Sequence, residues 1–157
     1  MGTEHFVKED YVGALFEYWT KAAESGDALA HYELSCFHQN GKGVEKNEKK
    51  RLYHLVEAAI GGHPGARFQL AGYEGKNSRF DRMVKHFIIA ANLGHDGSIQ
   101  MLKGCYKHGL VSKEDFAAAL RAHQAAVDAT KSPQRDVAEA FAEKFRSYQQ
   151  QTFGGNT

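Results

Sequence analysis

The stretch AAIGGHPGA, residues 58 to 66, decides the fold. Two alanines suited to a helix run into Gly61, Gly62, Pro64 and Gly65 within five residues. A phosphate-cradling loop would carry Lys and then Ser or Thr directly after its glycines, or would follow a strand, and this stretch does neither. It reads as a turn between two helices. Ala58 and Ala59 let one helix approach its neighbour closely, Gly61 or Gly62 ends that helix at a positive φ, and Pro64 begins the next.

The punctuation recurs. AAESGDALA at 22 to 30 precedes it by 36 residues, AANLGHDGS at 90 to 98 follows by 32, and a weaker AAVDA at 125 to 129 comes 35 later. Related units at such spacing mark stacked repeats, in which each unit buries its apolar face only against its neighbours. Between the echoes the periodicity is helical. Leu15, Phe16, Trp19, Ala22 and Ala23 share a face, as do Leu52, Leu55, Val56 and Ala59, and again Val84, Phe87, Ile88 and Ala91; these are second helices of their units. Ala30, Leu34 and Phe37, then Ala66, Leu70 and Tyr73, then Ser98, Leu102 and Cys105 mark the first helices. No segment shows the period-two pattern of a strand.

The expected fold is therefore all-α, an α-α superhelix or solenoid of about three helical hairpins with a leading helix and a C-terminal capping helix. Units fall at about 10–26, 27–62, 63–94 and 95–130. A capping helix at 133–149, opened by Ser132 and Pro133, would cover the solenoid's end with Val137, Phe141, Phe145 and Tyr148. Ser78 with Asp81 and Ser112 with Asp115 have capping-box spacing. Residues 1–9 and 151–157 are expected to be flexible.

The totals bound the function classes. A chain of 157 residues suits one domain. Lys and Arg number 20 against 19 Asp and Glu, so no global charge draws it to nucleic acid or an anionic membrane. Cys36 and Cys105 lie 69 residues apart, which suits free thiols rather than a disulfide framework or a zinc knuckle. No apolar run has the length of a signal peptide or a membrane span, so an intracellular, by default cytoplasmic, protein is expected.

With those residues in view, the segment AAESGDALAHYELSCFHQNGKGVEKNEKKRLYHLVEAA, residues 22 to 59, resembles the Sel1-like repeats, relatives of tetratricopeptide repeats. Ala22, Ala23, Gly26, Ala30, Leu34, Gly41, Gly43, Val44, Ala58 and Ala59 fit that pattern, whereas Ser35 stands where Gly is usual and His38 where Tyr is usual. Residues 58 to 91 keep the alanines and Leu70 but lose the Gly-x-Gly-Val loop. Residues 90 to 126 keep Gly94, Leu102, Gly109 and Val111. The resemblance covers residues 10 to 130. It implies a right-handed superhelix serving as an adaptor for protein partners, with the first helices lining its concave face. Carried over unit by unit, the partner-binding positions are Tyr32, Cys36 and Gln39, then Phe68 and Gln69, then Gln100, Lys103 and Lys107. Tyr32 and Phe68 are equivalent aromatic positions that would suit anchors for a peptide, or would simply pack against neighbouring helices.

Other chemistry is weaker in the sequence. Among nine histidines, His54 with His86 and His63 with His95 are repeat-equivalent pairs 32 residues apart. Equivalent side chains sit about one packed helix layer of 10 Å apart, too far to share an ion, so no metal is expected. Cys36 and His38, at i and i+2, diverge on a helix and make no nucleophile and base. Glu17, Glu24, Glu33, Glu57 and Glu74 form no carboxylate pair. No enzyme and no cofactor is expected. The alternative to an adaptor is a nucleic-acid-binding solenoid using a basic ridge. Residues 42 to 51 carry five positive and two negative side chains, a net +3, with Arg79, Arg82, Lys85 and His86 in the next unit.

Overall fold

A computed structural model describes the backbone of residues 3–153, and within it the side chains of 11–131, 135–144 and 146. It contains seven helices: α1 (Thr3–Glu24), α2 (Ala28–Asn40), α3 (Glu48–Ile60), α4 (Pro64–Lys76), α5 (Phe80–Asn92), α6 (Asp96–Lys107) and α7 (Lys113–Phe153). No strand occurs among the described residues. The chain divides into two compact units, 1–123 and 124–157. In the first, α2 packs most extensively on α3 and α4 on α5, while α1 on α2, α3 on α4 and α5 on α6 link successive hairpins. This is an all-α helical repeat superhelix.

The turns explain the periodicity. At the end of α3, Gly62 adopts φ 86°. Its N–H donates to Ala59 O at 3.2 Å, and the next residue's N–H, that of His63, donates to Ala58 O at 2.9 Å. This is a Schellman closure, which needs a left-handed residue that glycine supplies without a Cβ penalty. The same pair of bonds closes α1 through Gly26 and Asp27 onto Ala23 and Ala22, and α5 through Gly94 and His95 onto Ala91 and Ala90. Gly61 has a different duty. A Cβ there would lie 2.6 Å from the Ala28 Cβ, so its absence lets the end of α3 meet the start of α2.

The repeat frame forms the core. Leu34, Leu70 and Leu102, Ala30, Ala66 and Ser98, and the alanine pairs 58/59 and 90/91 are all buried. All but Ser98 and Ala90 belong to three hydrophobic clusters, which run from Phe16 and Trp19 on α1, through Leu55 and Leu70, to Phe87, Leu102, Cys105 and Ala119. Ser98 is admitted to this frame because its hydroxyl meets His95 Nδ1 at 3.0 Å.

Four expectations are corrected. Val56 is 43% exposed rather than on the core face, because the buried stripe of α3 runs through Leu55, Ala58 and Ala59 and leaves position 56 on the outer side. Ser78 does not cap α5; Arg79 is its N-cap, without a side-chain bond. Ser78 instead closes α4 at φ 58°, its N–H donating to Gly75 O at 3.0 Å while that of Arg79 reaches Glu74 O at 2.9 Å, a Schellman turn built without glycine. α1 is helical from Thr3, across most of the stretch expected to be flexible. Finally, α7 runs through AAVDA and Pro133, so no separate capping helix starts at 133. The residue matching Gly62 there is Ala129, and without glycine in the left-handed position the helix continues.

Ser112 does cap α7: its Oγ accepts from Asp115 N at 3.0 Å and donates to Asp115 Oδ2 at 2.9 Å. The second unit, 124–157, continues that helix, with Val137 and Phe141 exposed along it. The side chains of Ser132, Pro133, Phe145 and Tyr148, and residues 154–157 of the expected tail, lie outside the described residues.

Candidate functional site

The first helices meet along a seam built from one recurrent device. His63 is the N-cap of α4, its Nδ1 accepting from Ala66 N at 3.2 Å, and His95 caps α6 by accepting from Ser98 N at 3.2 Å. On each cap lies the aromatic ring of the preceding first helix. Tyr32 stacks on His63 at 4.2 Å between centroids, and Phe68 lies tilted on His95 at 4.6 Å. Glycine makes the room: a Cβ on Gly65 would come within 3.1 Å of the His63 ring and 3.3 Å of the Tyr32 ring, and Gly97 stands equivalently beside His95 and Phe68. Burial pushes the pKa of both histidines down, which keeps Nδ1 free to accept.

The expected partner-binding residues fall into three groups. Tyr32, Cys36 and Gln69 come together. Gln69 Nε2 donates to the Tyr32 hydroxyl at 3.0 Å, and Arg51 Nη2 from α3 donates to Gln69 Oε1 at 3.3 Å. Cys36 is half-buried beside them, its thiol pushed up by burial and by Glu33, so it is not an activated nucleophile. Next to this row a cavity of about 170 Å³ is lined by Glu33, Cys36, Phe37, Asn40 and Lys42. Phe68 turns inward instead, its ring 5.6 Å from that of Phe87. Gln39, Gln100, Lys103 and Lys107 are exposed and make no bond to the row.

Within the hairpins lies a set of polar residues that the sequence names in part, at His38, His54, Glu74 and His86, but does not bring together. Positions 31 and 38 of α2 correspond to 67 and 74 of α4, and 54 of α3 corresponds to 86 of α5. In hairpin α2–α3 these are His31, His38 and His54. Nδ1 of His31 lies 3.0 Å from Nδ1 of His54, and the His38 ring is parallel to that of His54 at 5.7 Å. His31 and His38 are buried. Burial, then His31, His38 and Lys50, lower the His54 pKa to about 4. In hairpin α4–α5 the matching residues are Arg67, Glu74 and His86. Glu74, buried, pairs with Arg79 and lies 3.9 Å from Arg82 Nη1, while Arg79 sits over the Tyr73 ring at 5.6 Å. His86 Nδ1 and Arg67 Nε are buried without a hydrogen-bond partner. Among the described residues no group of three or more His, Cys, Asp or Glu side chains is arranged to hold a metal ion. The legible signal was His31 and His38 at i and i+7, one helical face, opposite a second-helix histidine.

The basic ridge is partly spent on internal pairing. Arg51 pairs with Glu48 at 2.9 Å, Arg79 pairs with Glu74, and His86 is only partly exposed. Cys36 and His38 point to different surroundings, His38 packing edge-on against Phe16 of α1 at 6.0 Å. No helix among the described residues is long and apolar enough to cross a membrane. Comparison with known protein families and with characterised proteins finds no match.

Proposed function

We propose that this chain is a non-enzymatic scaffold of the Sel1-like kind that holds a protein partner along the face formed by α2, α4 and α6. The observation that supports this reading is the ordered row Arg51–Gln69–Tyr32 with a cavity beside it at Cys36. Interfaces concentrate their energy in Tyr and Arg anchors set in partly desolvated pockets. A row already held by hydrogen bonds loses little side-chain entropy on binding. The cavity takes one apolar side chain of a peptide, with Gln39 exposed on the same helix and Gln100, Lys103 and Lys107 exposed on α6.

The test is affinity capture from a native lysate by the parent chain and by a Cys36→Phe, Gln69→Ala variant, which fills the cavity and breaks the row. Circular dichroism checks that the variant keeps its helicity. Loss of specific protein partners in the folded variant supports the face. An unchanged set of captured proteins overturns it. Capture of nuclease-sensitive material that falls away steeply with added salt would favour nucleic-acid binding instead.

A further inference from the structure

At 3.0 Å the two Nδ1 atoms of His31 and His54 can be joined only by one shared N–H. One ring must be the Nδ1–H tautomer and the other must present a bare Nδ1. We propose that this pair is an acid-sensitive latch: it holds α2 to α3 while one ring donates and the other accepts, and a proton on the acceptor's Nδ1 releases the hairpin. Protonating the acceptor would set two N–H groups head to head inside the hairpin.

The surroundings supply no counter-charge. His31 is buried, and Tyr53 of α3 packs edge-on against both rings, at 6.2 Å from His31 and 5.0 Å from His54. His38 of α2 lies parallel to His54 and is itself backed by Phe16 of α1. The nearest acceptor to His38 Nδ1 is a backbone carbonyl, that of Glu45, at 3.5 Å. The charged groups acting on His54 are His31 and His38 from α2 and Lys50 from α3, all cationic when charged, with no carboxylate among them. Hairpin α4–α5 differs on this point, since the Glu74 carboxylate acts on His86 and opposes the effect of Arg67 and Arg82.

The sign follows. The folded hairpin keeps His54 neutral down to about pH 4, whereas the open chain binds a proton near its ordinary value of 6.5. The contribution is therefore complete above about pH 6.5 and is lost as pH falls toward 4. Each pH unit in that window shifts the closed-to-open ratio by at most tenfold, and because His54 is only half-buried the expected change from pH 7 to 5 is about three- to tenfold.

Hydrogen exchange of the full chain, corrected for intrinsic rates, tests this at pH 7 and pH 5. The amides of α2 and α3 are expected to open about three- to tenfold more readily at pH 5, with a smaller change across α4 and α5. His54→Gln, which keeps a hydrogen-bonding side chain but does not titrate, should flatten the difference. Should that variant fail to fold, nitrogen NMR of the parent's histidines decides. Opposite tautomers at His31 and His54, with His54 still neutral at pH 5, uphold the latch. The same tautomer on both rings, His54 titrating near 6.5, or equal opening of both hairpins overturns it.

Discussion

Hairpins α2–α3 and α4–α5 share a backbone frame and fill the same interior positions with different chemistry. Where one carries His31, His38 and His54, the other carries Arg67, Glu74 and His86. The flanking residues scarcely differ: Leu34 and Leu70, Ala58/Ala59 and Ala90/Ala91, with Leu55 matched by Phe87. Burial of that frame sets the helix spacing, and the polar positions differ in how they are met. The histidine set meets itself through a neutral N–H···N contact and ring stacking, whereas in the other set Glu74 turns to Arg79 and Arg82 and leaves Arg67 Nε and His86 Nδ1 without a hydrogen-bond partner. In the third first helix the corresponding places hold Ile99 and Tyr106, the latter stacked on Phe116 at 5.4 Å. The slot takes histidines in one hairpin and a buried carboxylate with arginines in the other, and at its third occurrence Tyr106 lies exposed.

That division makes frame changes the costliest. Phe87→Ala should destabilise by about 3–5 kcal/mol and Leu55→Ala by about 2–5 kcal/mol in chemical denaturation, since both side chains are buried and leave cavities. Similar losses at both positions would show the frame to be common; a cost below about 1 kcal/mol at either would mean the site collapses and the comparison breaks. Ala59→Leu should cost about 1–3 kcal/mol by overpacking the close approach of helices, and a variant with the parent's melting temperature would remove that explanation. Glu74→Ala should cost about 1–2 kcal/mol, because Glu74 is buried but Arg79 is 43% exposed and can be rehydrated. If the loss is negligible, the ionic slot is as dispensable as an apolar one.

The histidine caps offer a finer contrast. His63 and His95 are held neutral by burial, below their ordinary 6.5, so their share of stability is present above that value and lost as pH falls below it. Asn at both positions accepts from the same backbone N–H without titrating. Melting temperatures of His63→Asn, His95→Asn at pH 7 and 5 should therefore differ less than those of the parent; an equal drop assigns the acid sensitivity elsewhere. The smallest effect is a gain. Ser78→Gly relieves a left-handed φ at a turn whose counterparts use glycine and should stabilise by about 0.5–1 kcal/mol. A loss on that substitution would mean the Ser78 side chain supports the turn.

The fold was legible because repeat turns are written in residues with narrow conformational meaning. Gly26, Gly62 and Gly94 each occupy the left-handed position, and the paired alanines each supply the accepting carbonyls. The reading failed where that code lapses. Ser78 does a glycine's work while its spacing to Asp81 imitates a capping box, and AAVDA keeps the alanines without the glycine, so α7 passes through it. The candidate face was legible by position but not by contact. Helical phase placed Tyr32 and Phe68 on equivalent sites, yet only three-dimensional pairing shows each ring lying on the next unit's histidine cap. The histidine slot escaped because comparing His54 with its repeat counterpart His86 looks along the stack, while its partners His31 and His38 lie across the hairpin.

Between repeats, one residue closes the outgoing helix and caps the incoming one: Asp27, His63 and His95 each give an N–H backward and a side-chain acceptor forward. Such a joint has no slack. A single inserted residue would separate the two tasks and leave one helix end open. Inside the first hairpin Asn47 is such a joint too, its N–H donating to His38 O at 3.1 Å and its Oδ1 accepting from Lys50 N at 2.9 Å, but there residues 41–46 stand between the end of α2 and the joint. Those six residues are where this molecule can lengthen without parting the two tasks.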